Sequence, residues 1–500
     1  MDLIITLISK ICYFLWGDWI HIPLPGSGTL DLPLLVLILV PAGVYFTIRT
    51  GFLQIRMFPD MLRAVLEHAG VSKYAEAAED AEADDKGATV PAGNTPDTAE
   101  TGKKKKRNGI SALQALVVST ATRVGMGNLV GVVAAVSAGG AGAVFWMWVT
   151  ALIGSATAFI EATLAQLHKE KDPLYGGYRG GPAYYIHDWI NSKRKGAPKK
   201  SILAILFALS GLICWCGISQ VVSNSVTSSF ENAFNIPPVY TVSVLVILAA
   251  IIVLRKNATV KVLDVLVPIM AGIYILLTLY MIFTNIGQLG TAFKNIFTEA
   301  FGLRQAAAGT FGAVLMNGVK RGLFSNEAGS GSAPCAAAAA EASHPAKVGL
   351  MQAFGVFIDT LLCTCTALIM LVVPESVIAG QEGMGLLQAA MAWHMGEAGV
   401  IFIAAVLWLF SFTTFLGILF YARSNVAYLF GDNWASQTAY KVVALVMLFI
   451  GGLAAYTFVW DLGDVGIGLM TIFNMIALIP LSRQALDSLK DFESKKRLRK

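Results

Sequence analysis

Residues 110–138 read ISALQALVVSTATRVGMGNLVGVVAAVSA, an apolar run long enough to cross a bilayer but interrupted at its middle by Val124-Gly125-Met126-Gly127-Asn128. Two glycines and an asparagine at that depth loosen a helix. Each backbone group freed there is costly unless protein, ion or ligand satisfies it, so such a break is tolerated only where it is buried or lines a cavity. The competing reading is a packing notch, because Gly127 and Gly131 have the spacing of small residues at helix contacts.

The rest of the chain places this run among many others. Of its 500 residues, 56% are hydrophobic and 14% charged, against roughly 45–50% and about 25% in a soluble domain. Apolar stretches fall near 32–50, 110–138, 142–168, 201–230, 238–255, 262–284, 307–326, 346–373, 398–421, 437–459 and 464–482, which predicts an all-α membrane protein of eleven transmembrane helices. The net charge of +5 sits in short loops rather than in a patch, which argues against nucleic acid. Six cysteines in no metal or disulfide pattern, and six scattered histidines, point to no covalent cofactor.

Lysine and arginine orient the chain. With the amino terminus outside, the external segments hold only Lys10, Lys294 and Arg304. The cytoplasmic side takes Lys103 to Arg107, Lys193 to Lys195, Arg255, Lys256 and the tail from Lys495 to Lys500. An odd number of spans puts that tail inside. Residues 1–31 read as an external, interfacial amphipathic segment rather than a signal peptide, 32–50 as one extra helix, and 51–109 as a cytoplasmic linker, polar and disordered over about 74–107. Two groups of five spans follow, over 110–284 and 307–482, then a basic cytoplasmic tail over 483–500.

A second interrupted span carries Gly309, Gly312, Asn317, Gly318 and Gly322, and packing is again the alternative. Both interruptions open a group of five. Interrupted helices in matching positions of two halves point to the central site of a transporter. A channel would need a repeated filter sequence, and an intramembrane enzyme a nucleophile with its base beside Ser330, Ser332 or Asp359; neither pattern is present.

Several motifs resemble one family over nearly the whole chain from residue 32. They are Gly51-Phe52-Leu53-Gln54-Ile55-Arg56, the Val124 to Asn128 break, Phe145 to Val149, Gly180-Gly181-Pro182-Ala183-Tyr184-Tyr185, Arg321-Gly322-Leu323-Phe324-Ser325-Asn326-Glu327-Ala328-Gly329, and Gly355 to Thr360. Together they resemble the alanine or glycine:cation symporters. The resemblance implies a leucine-transporter-like core of two inverted five-helix repeats preceded by one extra helix, importing a small neutral amino acid with sodium. The expected partners are amino acid, sodium and bilayer, in a monomer of the inner (plasma) membrane; proton coupling is the alternative.

The same resemblance suggests the site. A half-helix starting at Gly125, Met126, Gly127 and Asn128 would meet the substrate carboxylate with free N–H groups and a partial positive charge. Carbonyls around Gly309 and Gly312 would meet the amino group. Gln220 would touch substrate, and Asn224, four residues on and on the same face, would either touch it too or hold helices together. Sodium, a hard cation, would take the Ala121 and Val124 carbonyls with the hydroxyls of Thr413 and Thr414. Two departures stand out: Met126 replaces the family's threonine, and Ile418 replaces its tryptophan. Losing a tryptophan opens space that a flexible methionine only partly refills, which suits alanine, glycine, serine or a substrate as long as glutamine. Arg123 at this depth needs a partner, for which Glu161, Glu327 and Asp359 are candidates. Asp461 and Asp464 are expected in the outer turn between the last two spans.

Overall fold

The computed structural model describes residues 2–24, 28–68, 110–194, 200–255, 258–301, 311–381 and 383–498. The linker over 74–107, Arg304 and Gly309 lie outside them. Helix α1 (Asp2–Trp16) leads into a β-hairpin, Asp18–Leu24 paired with Gly28–Pro33, and then α2 (Leu34–Arg49) and α3 (Phe58–His68).

The run quoted first begins at a capping box: the Ser111 hydroxyl accepts the Gln114 N–H while the Gln114 side chain accepts the Ser111 N–H. From there α4 (Ala112–Arg123) runs to the break, a π-turn covers Gly127–Gly131, and α5 (Val132–Gly139) completes the span, the two parts bent by 43°. The helices α6 (Gly142–Leu167), α7 (Pro182–Ser192), α8 (Ile202–Phe234), α9 (Pro238–Val253), α10 (Ala258–Thr284) and α11 (Ile286–Ala300) follow. The later part holds α12 (Phe311–Asn326), α13 (Ala333–Ala339), α14 (Pro345–Leu371), α15 (Met384–Met395), α16 (Glu397–Phe430), α17 (Trp434–Gly451) and α18 (Tyr456–Leu498).

Among the described residues, seven helices are long and apolar enough to cross a membrane, and the bent pair makes eight. Of the three other expected spans, 32–50 and 238–255 are 16-residue helices and 307–326 is α12, also of 16 residues. Close approach of helices rests on small residues: a Cβ at Gly349 would come within 2.3 Å of Thr163 Oγ1, and one at Gly318 within 2.6 Å of the Ala143 carbonyl.

Two expectations need correction. Gly312, Asn317, Gly318 and Gly322 lie inside the continuous helix α12, where Gly318 and Gly322 seat Ala143, Trp146, Met147 and Thr150 of α6. The backbone leaves the helix later, at Glu327, Gly329 and Gly331, all with positive φ. Packing therefore explains Gly318 and Gly322, and Gly312 lies inside the helix, where its carbonyl is not freed. Asp461 and Asp464 are likewise not in a turn: both lie within α18, where the charge of Asp464 is answered by Lys320 and Arg321 of α12.

Candidate central binding site

The first break is pinned from two sides. Val124 leaves the helix with φ −80° and ψ 73°. The Thr414 hydroxyl from α16 accepts the Met126 N–H at 3.1 Å and lies within hydrogen-bonding distance of the carbonyls of Ala121 (3.3 Å) and Phe410 (2.9 Å). It thus touches both halves of the broken helix. On the other side Gly127 faces α12, where a Cβ would lie 3.1 Å from the Ser325 Cα. Asn128 folds back, its Oδ1 accepting the Gly125 N–H at 2.8 Å.

The Asn128 amide nitrogen points into a buried polar group that sequence reasoning missed as a unit. It donates to Asp359 Oδ1 at 2.7 Å and to the Asp359 carbonyl at 3.1 Å, with Cys363 Sγ at 3.2 Å. The Ser325 hydroxyl donates to the same Asp359 oxygen at 2.6 Å. A lone carboxylate inside the span at 346–373 was the available signal, because an ionisable group at that depth is expensive and usually functional.

The second break is satisfied by protein. Glu161 of α6 accepts the Gly329 N–H at 3.1 Å, while Asn474 of α18 donates to Glu161 at 2.5 Å and to the Gly329 carbonyl at 3.0 Å. The Tyr185 hydroxyl donates to the side-chain oxygen Oδ1 of Asn474. Glu327 accepts from Tyr421 at 3.1 Å, and Tyr421 meets Thr122 of the first break at 2.6 Å.

Other expected residues go elsewhere. Arg123 is fully buried and donates to the carbonyl and side chain of Gln352, at 3.0 and 3.2 Å, instead of pairing with Glu161, Glu327 or Asp359. Gly355 makes this possible, since a Cβ there would sit 2.6 Å from the guanidinium. Thr413 turns its hydroxyl to the Phe410 carbonyl and Met270 Sδ, away from the break. Gln220 donates to Met447 Sδ, and Asn224 to the carbonyls of Gly451 and Ala454, so both face α17 and its end. They hold helices together. Met126 and Ile418 are both buried. The described residues contain no group of three or more His, Cys, Asp or Glu that could hold a metal, so a cation here would rest on carbonyls, hydroxyls and at most one carboxylate.

A helix broken in mid-membrane, clamped by hydroxyls and amides, is suited to hold a small zwitterion and a hard cation. The family model described as the sodium:alanine symporter family matches residues 25–84 and 89–500. The chain belongs to the sodium:alanine symporter family. Within it, the probable sodium/glutamine symporter GlnT of Bacillus subtilis is 39% identical over 480 residues, covering 95% of this chain and 91% of that one. The sodium/alanine symporter AgcS of Methanococcus maripaludis is 32% identical over 494 residues, covering 98% and 97%. In fold, this symporter-family chain resembles the crystal structure of MhsT in complex with L-phenylalanine, with a TM-score of 0.53 at 13% identity over 74% of this chain and 88% of that one. The chain is accordingly a multi-pass membrane transporter from a family of sodium-coupled amino-acid symporters, and not an enzyme.

Proposed function

We propose that the protein imports a small neutral amino acid with sodium by alternating access, around a site centred on Gly125, Met126, Gly127 and Asn128. The observation that carries this reading is the Thr414 hydroxyl, which touches the Ala121 carbonyl and the Met126 N–H and so links both halves of the broken helix. Sodium sits between the Ala121 and Val124 carbonyls and Thr414, while the substrate carboxylate meets the start of the second half-helix. Met126 and Ile418 border the side chain of the substrate, which is alanine, glycine, serine or glutamine. The GlnT and AgcS names, sodium/glutamine and sodium/alanine, bracket that range.

The reading carries eleven spans in two inverted repeats after one extra helix, an external amino terminus, and a cytoplasmic tail in the inner membrane of the cell. One cation moving down about 100 mV supplies about 2.3 kcal/mol, enough for roughly fiftyfold accumulation. Coupling to a single ion therefore suffices. Asp359, a buried carboxylate bound to Asn128, favours proton coupling as the second reading.

Purified protein in liposomes, given labelled alanine, glycine, serine and glutamine, tests both. Uptake driven by an inward sodium gradient is expected for at least one of them. Uptake driven equally by a proton gradient without sodium would replace the first reading by the second, and no uptake under either would defeat both.

A further inference from the structure

Two tightly packed bodies meet above the break. In one, α12 lies against α5 and α6 through small residues: a Cβ at Gly139 would come within 3.2 Å of Asn317 Cβ, and one at Gly318 within 2.5 Å of Trp146 Cβ. In the other, α18 lies against α8 in the same manner, with a Cβ at Gly466 only 2.3 Å from the Cys214 Cα and one at Gly217 2.8 Å from the Gly463 nitrogen. Such contacts have no room to slide, so each pair moves as a unit.

The seam between α12 and α18 is of a different kind. Asp464, 1% exposed, receives the Lys320 ammonium at 2.6 Å and the Arg321 guanidinium through two nitrogens at 3.2 and 3.3 Å. The guanidinium also lies 4.2 Å from the Trp460 ring, and Trp460 meets Phe324 at 5.1 Å. A buried ion pair adds little stability over well-packed apolar residues. It differs from them in one respect: when the helices part, its charges are solvated by entering water, whereas an apolar seam resists wetting.

The position of this seam matches a mouth of the site. Phe324 reaches down from it: a Cβ on Gly131 of the first break would lie 3.9 Å from its ring, and one on Gly463 would lie 4.0 Å from it and 3.8 Å from Val221. Asp464 is near the start of α18, far from its basic end. The amino-terminal helix completes the closure. The Trp16 indole N–H donates to the Asp464 carbonyl at 3.1 Å, Lys320 lies 5.4 Å from the Trp16 ring, and the Ser9 hydroxyl donates to Asp461 at 3.1 Å. Trp16 is itself buried.

We propose that Asp464, Lys320 and Arg321 form the latch that closes this mouth of the central site, and that helix α1, through Trp16, holds the latch shut. The proposal rests on the alternating-access reading, and its roles are structural gating ones: none of these residues is assigned contact with substrate or sodium.

A reporter cysteine tests it. Gly463→Cys fits without displacement, because its nearest neighbours stand 3.8 and 4.0 Å from the added Cβ. Its labelling by a membrane-impermeant thiol reagent is read in liposomes without sodium or substrate, after subtraction of the parent chain. Labelling should be slow with the latch intact and at least tenfold faster with Trp16→Ala, with Asp464→Asn, or with Lys320→Met. Trp16→Phe, which keeps a ring but loses the N–H, should fall between. The exchanged pair Asp464→Arg with Arg321→Asp should restore slow labelling, which also shows that the variants remain folded. Equal labelling rates in all these proteins would overturn the latch, and acceleration by Asp464→Asn but not by Trp16→Ala would overturn the part given to α1. Because no substrate or ion is present, these outcomes are separate from wild-type uptake, which tests the transport reading itself.

Discussion

The Thr414 hydroxyl oxygen occupies space that a side chain at residue 125 would need: a Cβ on Gly125 would lie 1.9 Å from it. Glycine at 125 and the hydroxyl at 414 are therefore one device. The absence of a Cβ lets α16 approach, and the approaching hydroxyl satisfies the backbone that the break exposes.

Substitution at either end should disable it. Gly125→Ala must push α16 away and is expected to abolish uptake in liposomes. Thr414→Val keeps the shape but leaves the Met126 N–H without its acceptor, a loss of about 1–3 kcal/mol for a buried group. Sodium activation of uptake should shift to at least about fivefold higher concentration, the lower end of that energy expressed as a ratio. Thr413→Val, whose hydroxyl faces Met270, should shift it less. Equal sodium dependence in the wild type, Thr414→Val and Thr413→Val would remove Thr414 from the ion site.

Asp359 should matter through Asn128. Asp359→Ala leaves the Asn128 amide and the Ser325 hydroxyl without their shared acceptor, so the second half-helix loses the group that orients its start. Uptake is expected to fall at least about tenfold, corresponding to about 1.4 kcal/mol. Ser325→Ala, which leaves the Asn128 to Asp359 bond intact, should fall less. A larger loss from Ser325→Ala than from Asp359→Ala would reverse this order of importance.

Ile418 bears on selectivity. The residue is 1% exposed and follows Gly417, whose own Cβ would come within 2.4 Å of Thr122. Ile418→Trp adds bulk where α16 crosses the first break. Competition against labelled alanine should then weaken for glutamine more than for glycine or serine, and improved competition by glutamine would contradict the pocket assignment.

A pH effect is expected outside the membrane, at the docking of the α18 extension. Burial opposes the charge on His168, but its hydrogen bonds to Asp188 and Gln484, both 2.8 Å, outweigh this and raise its pKa above 6.5. A group whose pKa is raised on docking contributes fully below the undocked value and loses that contribution as pH rises through the docked one. Protease cleavage within the tail near Lys490 to Lys496 should accordingly be slowest below pH 6.5 and quicken as pH rises above it. In His168→Ala the rate should be fast and nearly independent of pH over that range.

Much of the architecture follows from local features. The apolar run over 110–138 and its Gly125 to Asn128 interruption are encoded within a few residues of one another, and both become the elements expected, with a capping box at Ser111 that the same local sequence supplies. The second interruption shows where that logic ends. Glycines at 318 and 322 look the same in sequence whether they free a backbone or seat a neighbour, and only the presence of Ala143, Trp146, Met147 and Thr150 across the interface makes them seats. The actual departure, at Glu327 to Gly331, begins inside the Arg321 to Gly329 motif, yet its backbone at Gly329 is held by Glu161 and Asn474 from distant helices.

The sequence by itself determined that the chain enters a bilayer and that one helix is broken beside a conspicuous arginine. These are properties of neighbouring residues, governed by transfer free energy and backbone hydrogen bonding. Only the tertiary structure decided the partners: Gln352 rather than a carboxylate for Arg123, Asn128 and Ser325 for Asp359, Lys320 and Arg321 for Asp464, and α17 for Gln220 and Asn224. In an apolar interior most buried polar groups are satisfied by what other helices bring within about 3 Å of them, and that choice is made by packing across the whole chain.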